Sequence, residues 1–171
     1  MSEQCAEGTM GVVYVHSSPA AVCPHVEWAL SAALNTRAGL RWTEQPALSG
    51  QLKATCSWVG PVGTGARLAS ALRAWPMLRF EVTEDPSLGV DGERFSHVPG
   101  LGLWHGSTSA NGDVVLGEQR LRAMMAAAGA DSERLAAELD SALGAAWDEA
   151  LEPYRCSGEG LEVTWLRRSV G

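Results

Sequence analysis

Two hydrophobic periods alternate along residues 10–84, and this alternation constrains the fold more than any other feature of the chain. Strands are predicted where every second residue is apolar, at 10–17, 40–43, 51–59 and 78–83. Two other segments have apolar residues three and four positions apart, which predicts helices that end at Gly39 and Pro76. Because Pro24 lacks an amide hydrogen, the first helix begins near Cys23 or is preceded by a separate turn.

The resulting order, strand-helix-strand-strand-helix-strand, is that of the ferredoxin-like fold. It predicts an α+β protein in which two helices cover one face of a four-stranded antiparallel sheet. Since apolar residues occupy alternate positions in each strand, they are all expected to face the two helices. The opposite face of the sheet is expected to carry the polar residues Arg41, Thr43, Lys53, Thr55, Arg79, Glu81 and Thr83.

Residues 85–171 are predicted to extend this βαββαβ unit within the same domain. The dipeptide Asn111-Gly112 is typical of a tight hairpin turn. The predicted elements are hairpin strands at 102–107 and 113–116, helices at 117–129 and 132–154, and a final strand with Leu161, Val163 and Trp165. We therefore expect a single domain over residues 10–171, preceded by a disordered N-terminus of residues 1–9.

Length and charge narrow the class of protein. A chain of 171 residues with a net charge of −7 suits one acidic domain, and this charge argues against nucleic acid as a partner. No run of 18 apolar residues and no signal-peptide pattern is present, so no membrane association is expected. The four cysteines lack C-x-x-C spacing, which favours free thiols and a cytoplasmic location.

A glycine-rich turn, GPVGTGARL at residues 60–68, lies between a predicted strand and a predicted helix. It is not a P-loop, because Ala66 and Arg67 stand where Lys and Ser or Thr are needed, and its glycines also miss the dinucleotide pattern. A helix N-terminus still presents unpaired amides that attract anions. Two interpretations stay open: a tight turn with Thr64 as helix cap, or an anion subsite formed by Gly63, Thr64, Gly65 and Arg67.

Two other polar segments are candidates for contact with a ligand or a partner. The turn after the first strand contains His16, Ser17 and Ser18. The segment 97–113 is either a simple hairpin tip or a binding loop, with Trp104, His105, Ser107 and Asn111 as its candidate residues. Trp104 is the tryptophan expected to touch a partner. Neither segment has metal-ligand spacing or an activated nucleophile, so no metal, cofactor or catalytic residue is expected.

Four runs of the sequence carry a resemblance to a known family. They are VVYVHSSPAAVCPHVEWAL, WVGPVGTGARLASALRAWPMLRFEVTEDPS, GLGLWHGSTSANGDV and EVTWLRR. The chain resembles, over about residues 10 to 171, an uncharacterised actinobacterial family known only as a domain of unknown function. The resemblance implies no activity, cofactor or catalytic residue.

The sequence therefore favours a non-catalytic cytoplasmic protein that binds or regulates an unknown partner. Contact would be made by the polar sheet face or the segment 97–113, and a homodimer through the sheet face is possible. One alternative is a small-molecule sensor, with its ligand near residues 16–18. Another is an enzyme that acts on a phosphorylated or acyl-CoA-like substrate, with an anion subsite at residues 63–67 and His105 or His16 as its acid or base.

Overall fold

In a computed structural model, which describes residues 8–156, the chain forms one seven-stranded antiparallel sheet and five helices. The strands are β1 (Gly8–Pro19), β2 (Thr43–Glu44), β3 (Gln51–Pro61), β4 (Arg79–Glu84), β5 (Gly92–Val98), β6 (Gly102–Thr108) and β7 (Val114–Val115). The helices are α1 (Cys23–Leu34), α2 (Thr64–Leu72), α3 (Glu118–Ala128), α4 (Ser132–Leu143) and α5 (Ala145–Arg155). The strand order is β2-β3-β1-β4-β5-β6-β7, which confirms the expected α+β class.

β1 lies between β3 and β4 and starts earlier than the sequence suggested. Gly8 pairs with Pro61, and the buried Thr9 donates a hydrogen bond of 2.7 Å from its hydroxyl to the carbonyl of Asp85. The expectation that residues 1–9 are disordered is therefore wrong for Gly8 and Thr9. The register shifts after Val15, and the end of β1 then pairs again, Ser17 with Arg79 and Ser18 with Leu52.

β2 is shorter than predicted and lies later in the chain. The pattern at 40–43 suggested a strand, but only Thr43 and Glu44 pair with β3. Leu40 and Trp42 instead pack against the hydrophobic core. Their alternation thus reflects contact with the core rather than a place in the sheet.

The hydrophobic core lies between the sheet and the helices α1 and α2, as the alternation predicts. Its fully buried side chains include Leu30 on α1, Leu68 and Leu72 on α2, and Val13 and Phe80 on the central strands. Removing one such side chain leaves a cavity as well as losing buried apolar area. This packing holds the strands in place, and it therefore also sets the positions of the side chains on the opposite face of the sheet.

β5 is a strand that the sequence analysis missed. Residues 93–97 pair with β4 on one side, and residues 92–98 pair with β6 on the other. The sequence GERFSHV contains few apolar residues, yet Arg94, Ser96 and His97 are all buried. The predicted hairpin is confirmed, since β6 pairs with β7 across the Asn111-Gly112 turn.

The second half of the described chain ends in three helices rather than the predicted two. The single helix expected over 132–154 is interrupted at Gly144, whose φ of 80° is left-handed and ends α4. α5 then packs on β1 and β5, on the polar face of the sheet, so the C-terminal part covers some of that face. The predicted final strand at Leu161–Trp165 lies outside the described residues.

None of the helices within residues 8–156 has the length and apolar character that crossing a membrane requires.

Candidate functional site: a cavity on the polar face of the sheet

A buried cluster of charged residues holds α5 on the polar sheet face. Glu81 on β4 is fully buried, and Arg155 at the end of α5 donates to both of its carboxylate oxygens, over 2.9 Å from Nε and at closer range from Nη2. His16 on β1 brings Nε2 to 2.7 Å from the same carboxylate, and Ser96 on β5 donates to it over 3.2 Å. Three strands and one helix therefore meet at a single carboxylate.

The charged forms of Glu81 and Arg155 are strongly favoured. Burial alone would raise the pKa of Glu81, but the hydrogen bonds and charges of His16 and Arg155 outweigh it and lower the pKa to about 2. Burial would likewise lower the pKa of Arg155, but Glu81 and Asp148 raise it above its ordinary value. The arrangement is an ion pair with its hydrogen-bonding capacity engaged, which is suited to fixing α5 rather than to exchanging protons.

Asp148 on α5 connects this cluster to a second arginine. One of its oxygens, Oδ1, accepts from Arg155 over 2.8 Å, and the other, Oδ2, lies 3.4 Å from Nη2 of Arg94. The guanidinium of Arg94 also lies over the indole of Trp104, 5.0 Å from the ring centre. Arg94 is thereby held at the boundary between α5 and the uncovered part of the sheet.

Beside α5 the polar face opens into a cavity of about 700 Å³. Its floor is formed by side chains of β1, β4 and β5, and its walls by the segment after β4 and by the hairpin tip. The lining residues are Val12, Tyr14, Thr83–Pro86, Glu93, Arg94 and Thr108–Gly112. This volume is in the range that small organic ligands occupy in proteins, and the lining mixes hydroxyl, amide, charged and apolar groups.

The glycine turn at residues 60–68 already holds an anion, which is a side chain of the chain itself. Both oxygens of the Glu84 carboxylate accept from backbone amides, Gly63 at 2.8 Å and Gly65 at 2.7 Å. The helix N-terminus thus has its negative partner in the fold. Binding of an external anion at these amides stays a prediction, and it requires the carboxylate of Glu84 to move away from them.

The prediction that Thr64 caps α2 is wrong. The N-cap position is Gly63, with φ of 92°, and Thr64 lies inside the helix. The Thr64 hydroxyl donates to the carbonyl of Pro61 over 2.7 Å and accepts from Nη2 of Arg67 over 2.9 Å. Both candidate side chains of the turn therefore bond each other.

The turn with His16, Ser17 and Ser18 is buried and does not line the cavity. His16 faces Glu81, and its carbonyl accepts from the side-chain amide of Gln45 over 2.7 Å. Ser17 accepts from Nη1 of Arg79 over 3.3 Å. These contacts occupy the polar groups of the turn at which the sensor hypothesis expects a ligand.

The candidate residues of the segment 97–113 are separated by the fold, because most of the segment is strand. Trp104 lies on β6, within the predicted hairpin strand, but it is buried and donates from its indole nitrogen to the carbonyl of Ala142 over 3.3 Å. His105 points to the other face, where it stacks on Phe95. Ser107 lies in the β6–β7 pairing, and Asn111 lines the cavity.

Sequence reasoning missed the residues that build this site, above all Glu81, Arg94, Asp148 and Arg155. Glu81 was placed correctly on the polar face but was not recognised as the centre of a cluster. A lone carboxylate in the middle of a strand of a one-sided sheet is a usable signal, since such a residue needs a partner when a helix covers it. Its partner Arg155 lies 74 residues away in the sequence, and no local pattern indicates the pairing.

The described residues hold no cluster of three or more His, Cys, Asp or Glu side chains positioned to bind a metal ion. Cys23 and Cys56 are buried free thiols, and burial raises the pKa of each. Cys156 is an exposed free thiol at the end of α5.

Comparisons with known proteins identify a family without assigning a function. Nothing matches the chain among curated proteins or among solved structures. A family model described as "Protein of unknown function (DUF3145)" matches residues 12–168, which confirms the resemblance to a domain of unknown function. Because this match spans most of its length, the chain belongs to that family of proteins of unknown function.

Proposed function

We propose that the protein is a non-catalytic binding protein whose small ligand occupies the cavity on the polar sheet face. The single observation that carries this proposal is the cavity of about 700 Å³ between the polar sheet face and the hairpin tip at 109–112. Its lining offers the hydroxyl of Thr108 and the amide of Asn111 for hydrogen bonds, beside the apolar side chain of Val12. The hydroxyl of Thr83 accepts from the backbone amide of Val12 over 3.1 Å. Such a lining suits reversible binding of a small polar organic molecule.

The proposal extends to the fold type and the location. The order β2-β3-β1-β4, all antiparallel, supports a ferredoxin-like unit in residues 8–84. In this view β5–β7 and α3–α5 are an extension of that unit. Residues of β5 and of the hairpin tip form a cavity on the polar face of the sheet. Free thiols at Cys23 and Cys56 support a reducing compartment such as the cytoplasm.

The ion pair between Glu81 and Arg155, on the same face of the sheet as the cavity, favours binding over catalysis. Glu81 and Arg155 neutralise each other in a buried ion pair, and the pKa of Glu81, at about 2, is far from the range that general acid-base catalysis uses near neutral pH. The enzyme alternative placed its anion subsite at Gly63 and Gly65, whose amides hold Glu84. The sensor alternative is supported if the ligand site is moved from the 16–18 turn to the cavity.

A fragment screen followed by NMR of ¹⁵N-labelled protein tests the proposal. We expect bound fragments to shift the backbone amide signals of Tyr14, Thr83 and Asn111. The variant Val12→Trp should abolish these shifts, because Val12 lines the cavity and a larger side chain fills it. The matched control is Val59→Trp, at a position that lies 73% exposed on β3 and outside the cavity lining.

A screen in which no fragment shifts the cavity amides would overturn the proposal. Equal binding to Val12→Trp and Val59→Trp would do the same, because the ligand would then bind elsewhere. Both variants should first give well-dispersed spectra like that of the original protein, since neither position belongs to the buried core.

A further inference from the structure

Arg94 forms the part of the cavity wall that adjoins α5. Its side chain is 9% exposed, yet it belongs to the cavity lining, so its guanidinium is held in a largely dry position next to the open space. The ring of Trp104 supports the guanidinium from one side, at 5.0 Å. A planar guanidinium fixed in this way is pre-organised for a carboxylate or phosphate group, because its fork of donors matches two oxygens at once.

Asp148, one of the groups that Arg94 contacts inside the protein, is shared with Arg155. Asp148 accepts from Arg155 over 2.8 Å but lies 3.4 Å from Nη2 of Arg94, which is long for a bond between two charged groups. Glu81, the other carboxylate of the cluster, is engaged by His16 and Arg155. Asp148 therefore binds Arg155 more closely than Arg94. A carboxylate of a ligand that lies closer to Arg94 can replace Asp148 as its partner.

The charge around the cavity restricts the kind of anion. Asp85 lines it together with Arg94, and the whole chain has a net charge of −7, whereas the carboxylate of Glu93 lies on the other face of the sheet, 3.2 Å from Nε2 of His105. Glu84 also lines the cavity, but its carboxylate is taken up by the amides at α2. Each additional negative charge on a ligand meets repulsion from these groups, so a singly charged anion is favoured over a phosphate dianion.

We propose that the ligand is a small organic monocarboxylate whose carboxylate pairs with Arg94 in competition with Asp148. This inference rests on the proposed binding function and names the ligand class for the same cavity. The hydroxyl of Thr108 and the amide of Asn111 then contact the remainder of the ligand.

The test compares carboxylic acids with their own primary amides. Aryl and short alkyl monocarboxylates, such as phenylbutyrate and indole acetate, are titrated beside phenylbutyramide and indole acetamide, with inorganic phosphate as the anion-only probe. Affinity is read from the NMR shifts of Tyr14 and Thr83. We expect the acids to bind at least about tenfold more tightly than the amides, because only the acids form a charge-assisted bond. Phosphate should shift neither signal.

Two variants probe the residues themselves. Arg94→Gln should remove the preference for acid over amide, while binding of the amide changes by less than about twofold. Asp148→Asn should strengthen binding of the acids, by about threefold or more, because it removes the competing charge but keeps an oxygen that accepts from Arg155. Asp148→Asn also covers the case in which Arg94→Gln fails to fold. The control is Glu149→Gln, an exposed acid on the same helix.

The outcomes separate this inference from the proposed function. If fragments bind in the cavity but acids and amides bind equally, the assignment of a carboxylate ligand is wrong and the binding function stands. Unchanged acid binding in Asp148→Asn, with Glu149→Gln as reference, also overturns the assignment. If no fragment of any charge binds in the cavity, the proposed function itself fails.

Discussion

Arg155, the last residue of α5, donates two hydrogen bonds to the carboxylate of Glu81, which is fully buried on β4. The two residues join the C-terminal helix to the middle of the sheet. Leu151 is the other side chain that α5 buries completely. The position of α5 therefore depends on a polar contact as much as on apolar packing.

Removing Arg155 should destabilise the protein strongly. We expect Arg155→Met to lower the free energy of unfolding by about 3 kcal/mol or more, because Glu81 is left buried without its main partner. The measurement is urea unfolding at neutral pH. The control is Arg134→Met, which breaks the exposed ion pair with Glu138 on α4 and should cost less than about 1 kcal/mol. Similar losses in the two variants would show that the buried pair does not hold α5.

The same ion pair should make stability depend on pH in acid. Glu81 has an ordinary pKa of 4.5 and a folded-state pKa of about 2, so its ionised form stabilises the fold. This stabilisation is complete above pH 4.5 and is lost as the pH falls towards 2. We expect the difference in unfolding free energy between the original protein and Glu81→Gln to be constant from pH 7 to 5 and to shrink below 4.5. A difference that stays constant down to pH 3 would contradict the assigned pair.

The first half of the fold could be predicted because its two hydrophobic periods are clear and unmixed. Val13, Phe80 and Leu68 have the burial that their spacing indicates. The prediction failed at residues 40–43, where alternating apolar residues pack on the core without pairing in the sheet. The spacing of apolar residues indicates which side chains are buried. It does not by itself distinguish a strand from a loop that packs on the core, because that distinction depends on the hydrogen-bonding partners of the backbone.

The candidate site could not be predicted in the same way, because polar contacts between distant segments create it. β5 is buried on both faces although its sequence is largely polar, so neither period appears in it. The cavity arises only when β5 and the hairpin tip are added to the sheet, because residues of both line it. Of the residues that the sequence proposed for a site, Asn111 is the one in the cavity lining, and it was proposed as part of the polar segment 97–113.

Glu84 should stabilise the start of α2 and exclude other anions from it. We expect Glu84→Ala to lower the free energy of unfolding by about 2 kcal/mol, since the amides of Gly63 and Gly65 lose a charged acceptor. In this variant, millimolar sulfate at constant ionic strength should raise the melting temperature more than in the original protein. Asp85→Ala, at the exposed neighbouring position, is the control. An equal response to sulfate in all three proteins would show that the amides do not form an anion site.

Gly144 should be needed both for the break between α4 and α5 and for the packing of Trp104. Its φ is 80°, and a Cβ atom there would lie 2.8 Å from the indole ring of Trp104. Gly50 has a similar φ of 78° but no atom within 4 Å of such a Cβ, so Gly50→Ala measures the backbone strain alone. We expect Gly144→Ala to lower the free energy of unfolding by at least about 1 kcal/mol more than Gly50→Ala, because the ring of Trp104 and the guanidinium of Arg94 on it must move. Chemical denaturation of the two variants measures this difference, and equal losses would mean that the indole is not packed against the turn.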